Sequence, residues 1–382
     1  MKTFKFGQLL AKEDICDREK EIQMLGKLCS VNGRAVVYGP RRFGKTSIVK
    51  NVIMKTFVER NKNALGIYTD LFQLDSMADM VTRLQVAVGH ALSQKAKIKS
   101  FLKSIGNYVK NFRVEITMDE LSGVPIISFA GKYEDDEKTL DQIFMTISNL
   151  SADYKILLIL DEFQDIKKVV GMEGHLRSAL QSLDKTTVIL LGSKMHILRN
   201  IFSKESEPFY GFGTDVEIGV IPRATWFPYM KERFEPYDLN IDMEGVHEIC
   251  NLLRDVPNAI QELCQWISLG GQHGMLTPER IHESLSDLIE NKSSRYIEKL
   301  ASFSIKEKKV LNALALMEPV GSVISTKFVH TAQISPTAIR KTVERFTDQG
   351  ITEYTDKGYW ITDPIFRLFL VRQISQGSRP VP

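Results

Sequence analysis

The sequence predicts an α/β fold, a parallel sheet with helices on both faces, followed by a small helical domain and a winged helix. Short aliphatic runs alternate with helical periodicity through the first 220 residues, which is typical of a parallel sheet. After Val220 the strand signals stop, and residues 222–300 indicate helices punctuated by proline and glycine. From Ser304 onward, three helical segments precede two short strand-like segments, which is the order of a winged helix.

The predicted strands are apolar almost throughout, as parallel strands covered on both faces should be. A long insertion of roughly residues 75–150 separates the second strand from the third. It begins as a helix over 77–102 and then indicates a β-hairpin over 113–116 and 126–129, with Gly123 and Pro125 at the turn. The four strands are expected at residues 34–38, 64–69, 156–160 and 188–191.

The C-terminal pattern places helices at residues 305–317, 326–332 and 336–349, followed by strand-like segments around Lys357. Ser335 is a suitable N-cap for the third helix, and Pro336 suits its first turn. The predicted domain boundaries are 1–220 for the sheet domain, 221–302 for a helical lid and 303–376 for the winged helix, with a tail at 377–382.

The composition is that of a globular protein, with 43% hydrophobic and 25% charged residues among 382. The apolar runs are far shorter than the roughly 18 residues a membrane helix needs, and the first residues do not form a signal peptide. We therefore expect a cytoplasmic protein. The four cysteines show no zinc-ligand spacing and are expected to be reduced. From Phe303 onward there are 11 basic and 7 acidic residues, so the basic excess lies at the C-terminal end.

Residues 39–46, GPRRFGKT, match G-x-x-x-x-G-K-[ST] between a predicted strand and a predicted helix, which is the phosphate loop (P-loop) of nucleotide-binding proteins. Successive backbone N–H groups and a helix N-terminus provide a concave site for a triphosphate. Lys45 is expected to reach the β- and γ-phosphates, and the Thr46 hydroxyl to bind Mg²⁺. The expected nucleotide-binding residues of this segment are Gly39, Pro40, Arg41, Arg42, Phe43, Gly44, Lys45, Thr46 and Ser47.

A second segment, ILLILDEFQDI over 156–166, ends an aliphatic strand with Asp161 and Glu162. Ligands of α/β folds bind at this carboxyl edge of the sheet. Asp161 is expected to hold Mg²⁺ and Glu162 to polarise the attacking water as general base. The pair favours ATP hydrolysis over a kinase reaction, and the alternative is a solvated acidic loop after a core strand.

Ser193 ends the next strand, TTVILLGS, and is the candidate to sense the γ-phosphate or position the water; the alternative is an ordinary strand-end serine. Arg199, Arg223 and Arg254 follow as candidate arginine fingers, or else as surface and ion-pairing arginines. Arg41 and Arg42 raise the positive potential of the loop, or pair with acidic residues such as those at positions 17 and 19.

The segments GPRRFGKTSIV, LDEFQDI and LLGS, preceded by ICDREKEIQML, resemble the archaeal-type ATPases, placed in the signal-transducing (STAND) branch related to AAA+ and origin-recognition ATPases. The C-terminal TDPIFRLFL is similar to the family's segment that closes the winged helix. The resemblance implies ATP/ADP and Mg²⁺ as ligands. It also implies that Ile15, next to the D-R-E box at 17–19, lines the adenine site and that Pro257 of the lid faces the nucleotide. Asp255 stands where the family usually has glycine.

Two functions remain open from the sequence. The first is an ATP-driven regulatory switch, in which nucleotide state controls the lid and winged helix or assembly with a protein partner or a second copy. The second is a DNA-binding ATPase whose winged helix contacts duplex DNA. The alternative for the winged helix is that it packs against the lid or a partner. The candidate DNA-binding residues are Thr337, Arg340, Lys341, Arg345 and Lys357.

Overall fold

The computed structural model describes residues 2–94, 112–118, 125–131 and 135–377. The chain divides into two compact units. The sheet unit comprises Arg18–Gly39 and Lys45–Ile218, and the C-terminal unit comprises Met1–Asp17, Pro40–Gly44 and Gly219–Pro382. The middle of the predicted P-loop is therefore grouped with the C-terminal unit. The boundaries at residues 220 and 302 stay a prediction.

The sheet unit contains a five-stranded parallel sheet in the order β2 (Ala64–Asp70), β5 (Lys155–Asp161), β6 (Thr186–Gly192), β1 (Arg34–Tyr38) and β7 (Thr214–Glu217). In the register, Val36 lies opposite Leu190 and Leu158 opposite Val188, so the central strands place aliphatic side chains side by side. The predicted parallel sheet is confirmed. The strands of this unit are β1 (Arg34–Tyr38), β2 (Ala64–Asp70), β3 (Phe112–Met118), β4 (Pro125–Gly131), β5 (Lys155–Asp161), β6 (Thr186–Gly192) and β7 (Thr214–Glu217).

Within the five-stranded sheet of the described residues, the sequence pattern did not predict strand β7. It reads TDVE and pairs in parallel with β1, with Val216 as its buried residue. An edge strand that is half exposed carries no continuous apolar run, and for that reason its sequence does not stand out.

Helices cover the sheet on both faces. The P-loop is followed by a continuous helix whose first part, Ser47–Met54, has π geometry and whose second part, Lys55–Arg60, is α-helical. Ser76 caps the helix Met77–Ser93 by accepting a hydrogen bond from the N–H of Asp79. The other helices of the unit are Glu19–Ser30, Asp136–Leu150, Met172–Gln181 and Met195–Ser203, with a 3₁₀ turn at Phe163–Lys168.

The insertion contains the predicted hairpin, because β3 and β4 pair antiparallel. The predicted helix over 77–102 is described to residue 93, and its later part and Gly123 lie outside the described residues.

The C-terminal unit is mainly helical, but the prediction that strands stop after Val220 is wrong. β8 (Leu239–Asn240) and β9 (Gly274–Met275) form a parallel pair of two residues each, too short to produce a sequence pattern. The helices are Arg223–Phe234, Met243–Leu252, Pro257–Leu269, Pro278–Asn291, Ser293–Ala301, Ile305–Met317, Thr326–Ala332, Pro336–Asp348 and Pro364–Gly377, with 3₁₀ turns at Lys12–Asp14 and Glu235–Tyr237.

The predicted winged helix is present. Helices Ile305–Met317, Thr326–Ala332 and Pro336–Asp348 are followed by the antiparallel pair β10 (Thr352–Thr355) and β11 (Gly358–Ile361). Ser304 and Glu307 form a capping box at the first of these helices. Throughout the described ranges, each helix is too short or too polar to span a bilayer.

Candidate functional site

The two glycines of the P-loop are required for different reasons. A Cβ on Gly39 would lie 2.3 Å from the backbone oxygen of Ile218, so only glycine permits this close approach. Gly44 has φ +87°, a left-handed conformation, and the position of its missing Cβ has open space around it. The backbone at Gly44 is therefore accessible to a ligand.

Lys45 and Thr46 begin the part of the loop that belongs to the sheet unit. The buried Lys45 ammonium donates to the backbone oxygen of Gly39 at 2.8 Å, and the Thr46 hydroxyl donates to Asp161 Oδ2 at 2.8 Å. A polyphosphate would offer the ammonium anionic oxygens in place of a neutral carbonyl, and charge-assisted bonds are the stronger ones. The side chains thus suit a phosphate and a cation.

Asp161 is the last residue of β5 and is 4% exposed. Its Oδ1 accepts from the N–H of Glu162 at 2.8 Å. Its Oδ2 accepts from two hydroxyls, those of Thr46 and Tyr68, each at 2.8 Å. The structure therefore brings together the two residues that were predicted to hold the metal. Tyr68 was missed, because no motif marks a tyrosine on β2.

Glu162 and Ser193 are also brought together. Ser193 follows β6, and its hydroxyl donates to Glu162 Oε2 at 2.8 Å. The amide of Gln164 donates to the same oxygen. Gln164 was missed as a functional candidate, although a buried glutamine in the segment DEFQD is a usable signal.

In the C-terminal unit, two arginines of the P-loop contact the winged helix. Arg42 Nη1 lies 3.1 Å from Asp363 Oδ2, and the N–H of Arg41 donates to Glu353 Oε2 at 3.3 Å. Arg42 thus pairs with an acidic residue, as one of the two alternatives predicted, but its partner is the aspartate of the TDP segment and not residue 17 or 19. Burial opposes ionisation of Asp363, but Arg42 and Lys292 outweigh it and hold its pKa below the ordinary value.

Two of the three candidate finger arginines are ion-paired within the C-terminal unit. Arg223 donates two hydrogen bonds to Asp255, each at 3.1 Å. Arg254 lies 2.7 Å from Glu318 and over the ring of Trp360. Asp255 has φ 55°, a left-handed conformation that glycine adopts most readily. This conformation explains why the family usually has glycine at this position.

Arg199, the third candidate, is exposed on the helix Met195–Ser203 of the sheet unit. The two residues implied in adenine and lid contacts lie in the C-terminal unit. Ile15 is half-buried after the turn Lys12–Asp14, and Pro257 is the first residue of its helix. Their roles stay predictions.

The candidate DNA-binding residues are exposed. Thr337, Arg340, Lys341 and Arg345 lie on the helix Pro336–Asp348, whose opposite face buries apolar side chains, and Arg345 forms an ion pair with Glu307. Lys357 lies between the two strands of the wing.

Comparisons with known proteins place the chain in a family. A model described as an ATPase domain predominantly from Archaea matches residues 15–209, more than half of the chain, and a model of a probable winged helix domain matches residues 294–372. The chain belongs to this family of archaeal-type ATPases. Among curated proteins, none matches the chain.

Solved structures share the fold. A Walker-type ATPase of Pyrococcus abyssi superposes with a TM-score of 0.61 at 18% identity, covering 96% of this chain and 99% of its own. The ORC1 protein of Aeropyrum pernix, determined in complex with DNA, has a TM-score of 0.53 at 13% identity, with 95% and 93% covered. At these identities the likeness concerns the fold: a P-loop ATPase sheet followed by a helical region with a winged helix.

Proposed function

We propose that the protein is a magnesium-dependent ATPase that acts as a regulatory switch. The observation that carries the proposal is the convergence of side chains at one edge of the sheet. Lys45 and Thr46 follow β1, Asp161 ends β5, and Ser193 follows β6 with its hydroxyl on Glu162. A phosphate-binding lysine, two metal-ligand oxygens and a carboxylate base are the groups that phosphoryl transfer to water requires.

Thr46 and Asp161 are the residues that would hold Mg²⁺, since it prefers hydroxyl and carboxylate oxygens. The ion supplies charge neutralisation on the phosphates when bound. Lys45 contacts the β- and γ-phosphates. Glu162 takes a proton from the attacking water, and because Oε2 accepts from Ser193 and Gln164, Oε1 serves as the proton acceptor.

The switch component is supported by the contacts of Arg41 and Arg42. The same loop that would surround the phosphates holds Glu353 and Asp363 of the winged helix. A triphosphate at the loop would compete with these carboxylates for the Arg41 amide and the Arg42 guanidinium. Nucleotide state would thereby determine how firmly the winged helix is held.

Steady-state ATP turnover and particle mass, each measured with ATP and with ADP, test the proposal. We expect magnesium-dependent turnover, together with a nucleotide-dependent change in mass or in the pattern of limited proteolysis of the winged helix. Absence of turnover would contradict the ATPase, and identical mass and proteolysis in both nucleotides would contradict the switch.

A DNA-binding ATPase is the second candidate, favoured by the exposed Arg340, Lys341 and Lys357 on one helix and the wing. For this function, replacing Arg340 and Lys341 by alanine should abolish a salt-sensitive affinity for duplex DNA. The matched control is the pair Lys306→Ala and Lys327→Ala, which removes the same charge from exposed positions of the same domain. Equal loss in both double variants would indicate a general charge effect instead.

A further inference from the structure

Tyr68 lies on the edge strand β2 and connects three elements of the sheet unit. Its hydroxyl donates to Asp161 Oδ2 at 2.8 Å. The hydroxyl is the donor and the carboxylate oxygen is the acceptor, so the bond has a fixed direction.

The hydrogen bonds on Asp161 define how its carboxylate is oriented. A carboxylate has about four lone-pair positions, and protein donors occupy three of them here. The N–H of Glu162 takes one on Oδ1, and the hydroxyls of Thr46 and Tyr68 take both on Oδ2. The carboxylate plane cannot rotate without breaking at least one of these bonds. The second lone pair of Oδ1 therefore remains for a metal ion or for a water bound to it.

The ring of Tyr68 is itself held in place from the helix that follows the P-loop. Lys50 Nζ lies 4.1 Å from the ring centroid, within the range of a cation–π interaction. Tyr68 also lines a cavity of about 720 Å³, together with Lys50 and Met54.

We propose that Tyr68 is a positioning residue for the nucleotide-bound metal ion: its hydroxyl orients the Asp161 carboxylate, and Lys50 orients its ring. This inference rests on the proposed ATPase function. Tyr68 contacts neither the metal nor the phosphates and acts through Asp161.

The test is the affinity of Mn²⁺ for the ADP complex, measured by electron paramagnetic resonance of free Mn²⁺ in wild type and Tyr68→Phe. Loss of a group that orients a metal ligand typically weakens metal affinity at least about tenfold, and we expect about that loss. ADP affinity measured with a chelator present should be unchanged, because the loop contacts with phosphate remain. The Mg²⁺ concentration that gives half-maximal turnover should rise by a similar factor of about ten.

Two further variants make the test specific. Tyr210→Phe removes a hydroxyl from a tyrosine that is 48% exposed in the same unit and should leave Mn²⁺ affinity unchanged. Lys50→Met removes the cation from the ring at similar side-chain length and should weaken Mn²⁺ binding in the same direction, by a smaller factor.

Mn²⁺ affinity equal to wild type in Tyr68→Phe would overturn the inference while leaving the ATPase intact, provided that wild type hydrolyses ATP. Failure of the wild type to bind nucleotide at all would overturn both. If thermal melting shows that Tyr68→Phe does not fold, Lys50→Met decides alone, and an unchanged Mn²⁺ affinity in that variant would overturn the inference.

Discussion

Glu162 follows the last residue of β5 with its backbone in the left-handed region, at φ 50°. A non-glycine residue in this conformation costs of order 1 kcal/mol, and such residues cluster at functional sites. The turn projects the side chain to Ser193 and Gln164, which hold one of its oxygens. The local strain is therefore associated with a carboxylate that two neighbours hold in place, as the proposed general base requires.

Replacing Glu162 by glutamine should stop turnover and keep ATP binding. The amide retains the shape of the side chain but cannot accept a proton from water, so kcat should fall at least about 100-fold. Steady-state phosphate release measures this, with ATP affinity measured separately. Glu59→Gln, at an exposed carboxylate of the same unit, is the control and should hydrolyse normally. Normal hydrolysis by Glu162→Gln would remove the general-base role.

Site residues that belong to a short local motif could be predicted from the sequence. Lys45 and Thr46 follow from the spacing of GPRRFGKT, and Asp161 from the end of an aliphatic strand. Tyr68 and Gln164 could not be predicted in the same way. Tyr68 meets Asp161 across 93 positions of sequence, and that contact depends on the pairing of β2 with β5.

At the scale of elements, the central strands were predictable because burial on both faces requires continuous apolar sequence. The half-exposed β7 and the two-residue β8–β9 pair were not, since each buries too few side chains to leave a pattern. The winged helix was predicted from the order of three helical and two strand-like segments, with Ser335 and Pro336 at the start of the third helix. The order of elements therefore identified a domain that composition did not.

The start of the helix Pro364–Gly377 offers a test of the Arg42 contact. Asp363 Oδ1 accepts from the N–H groups of Ile365 and Phe366, while Oδ2 pairs with Arg42. Asp363→Asn keeps a good N-cap and removes the charge, so we expect a loss of about 1 kcal/mol at neutral pH. Urea denaturation, followed at probes in the C-terminal unit, measures it.

The pH dependence of this difference has a defined sign. The folded-state pKa of Asp363 is below the ordinary value. The ionised carboxylate therefore stabilises the fold at neutral pH, and this contribution is lost on acidification. The difference between wild type and Asp363→Asn should be constant above about pH 5 and shrink below about pH 4. A difference that already disappears near pH 6 would assign the effect to another titrating group.

At the scale of the whole molecule, the chain divides so that Pro40–Gly44 belongs to the C-terminal unit and the flanking Gly39 and Lys45 to the sheet unit. This division could not be predicted from the sequence, since the loop motif is continuous and the Arg42–Asp363 pair joins residues that are distant along the chain. The proposed switch requires that phosphates bind at the loop.

ATP affinity of wild type and Lys45→Ala, measured by calorimetry in the presence of Mg²⁺, is the most direct test of that requirement. Wild type should bind one ATP per chain, and Lys45→Ala should show no measurable binding, because the buried ammonium is the cation placed against Gly39 within the loop. Lys55→Ala, at an exposed lysine on the following helix, should bind as wild type does. Equal ATP affinity in wild type and Lys45→Ala would contradict the account.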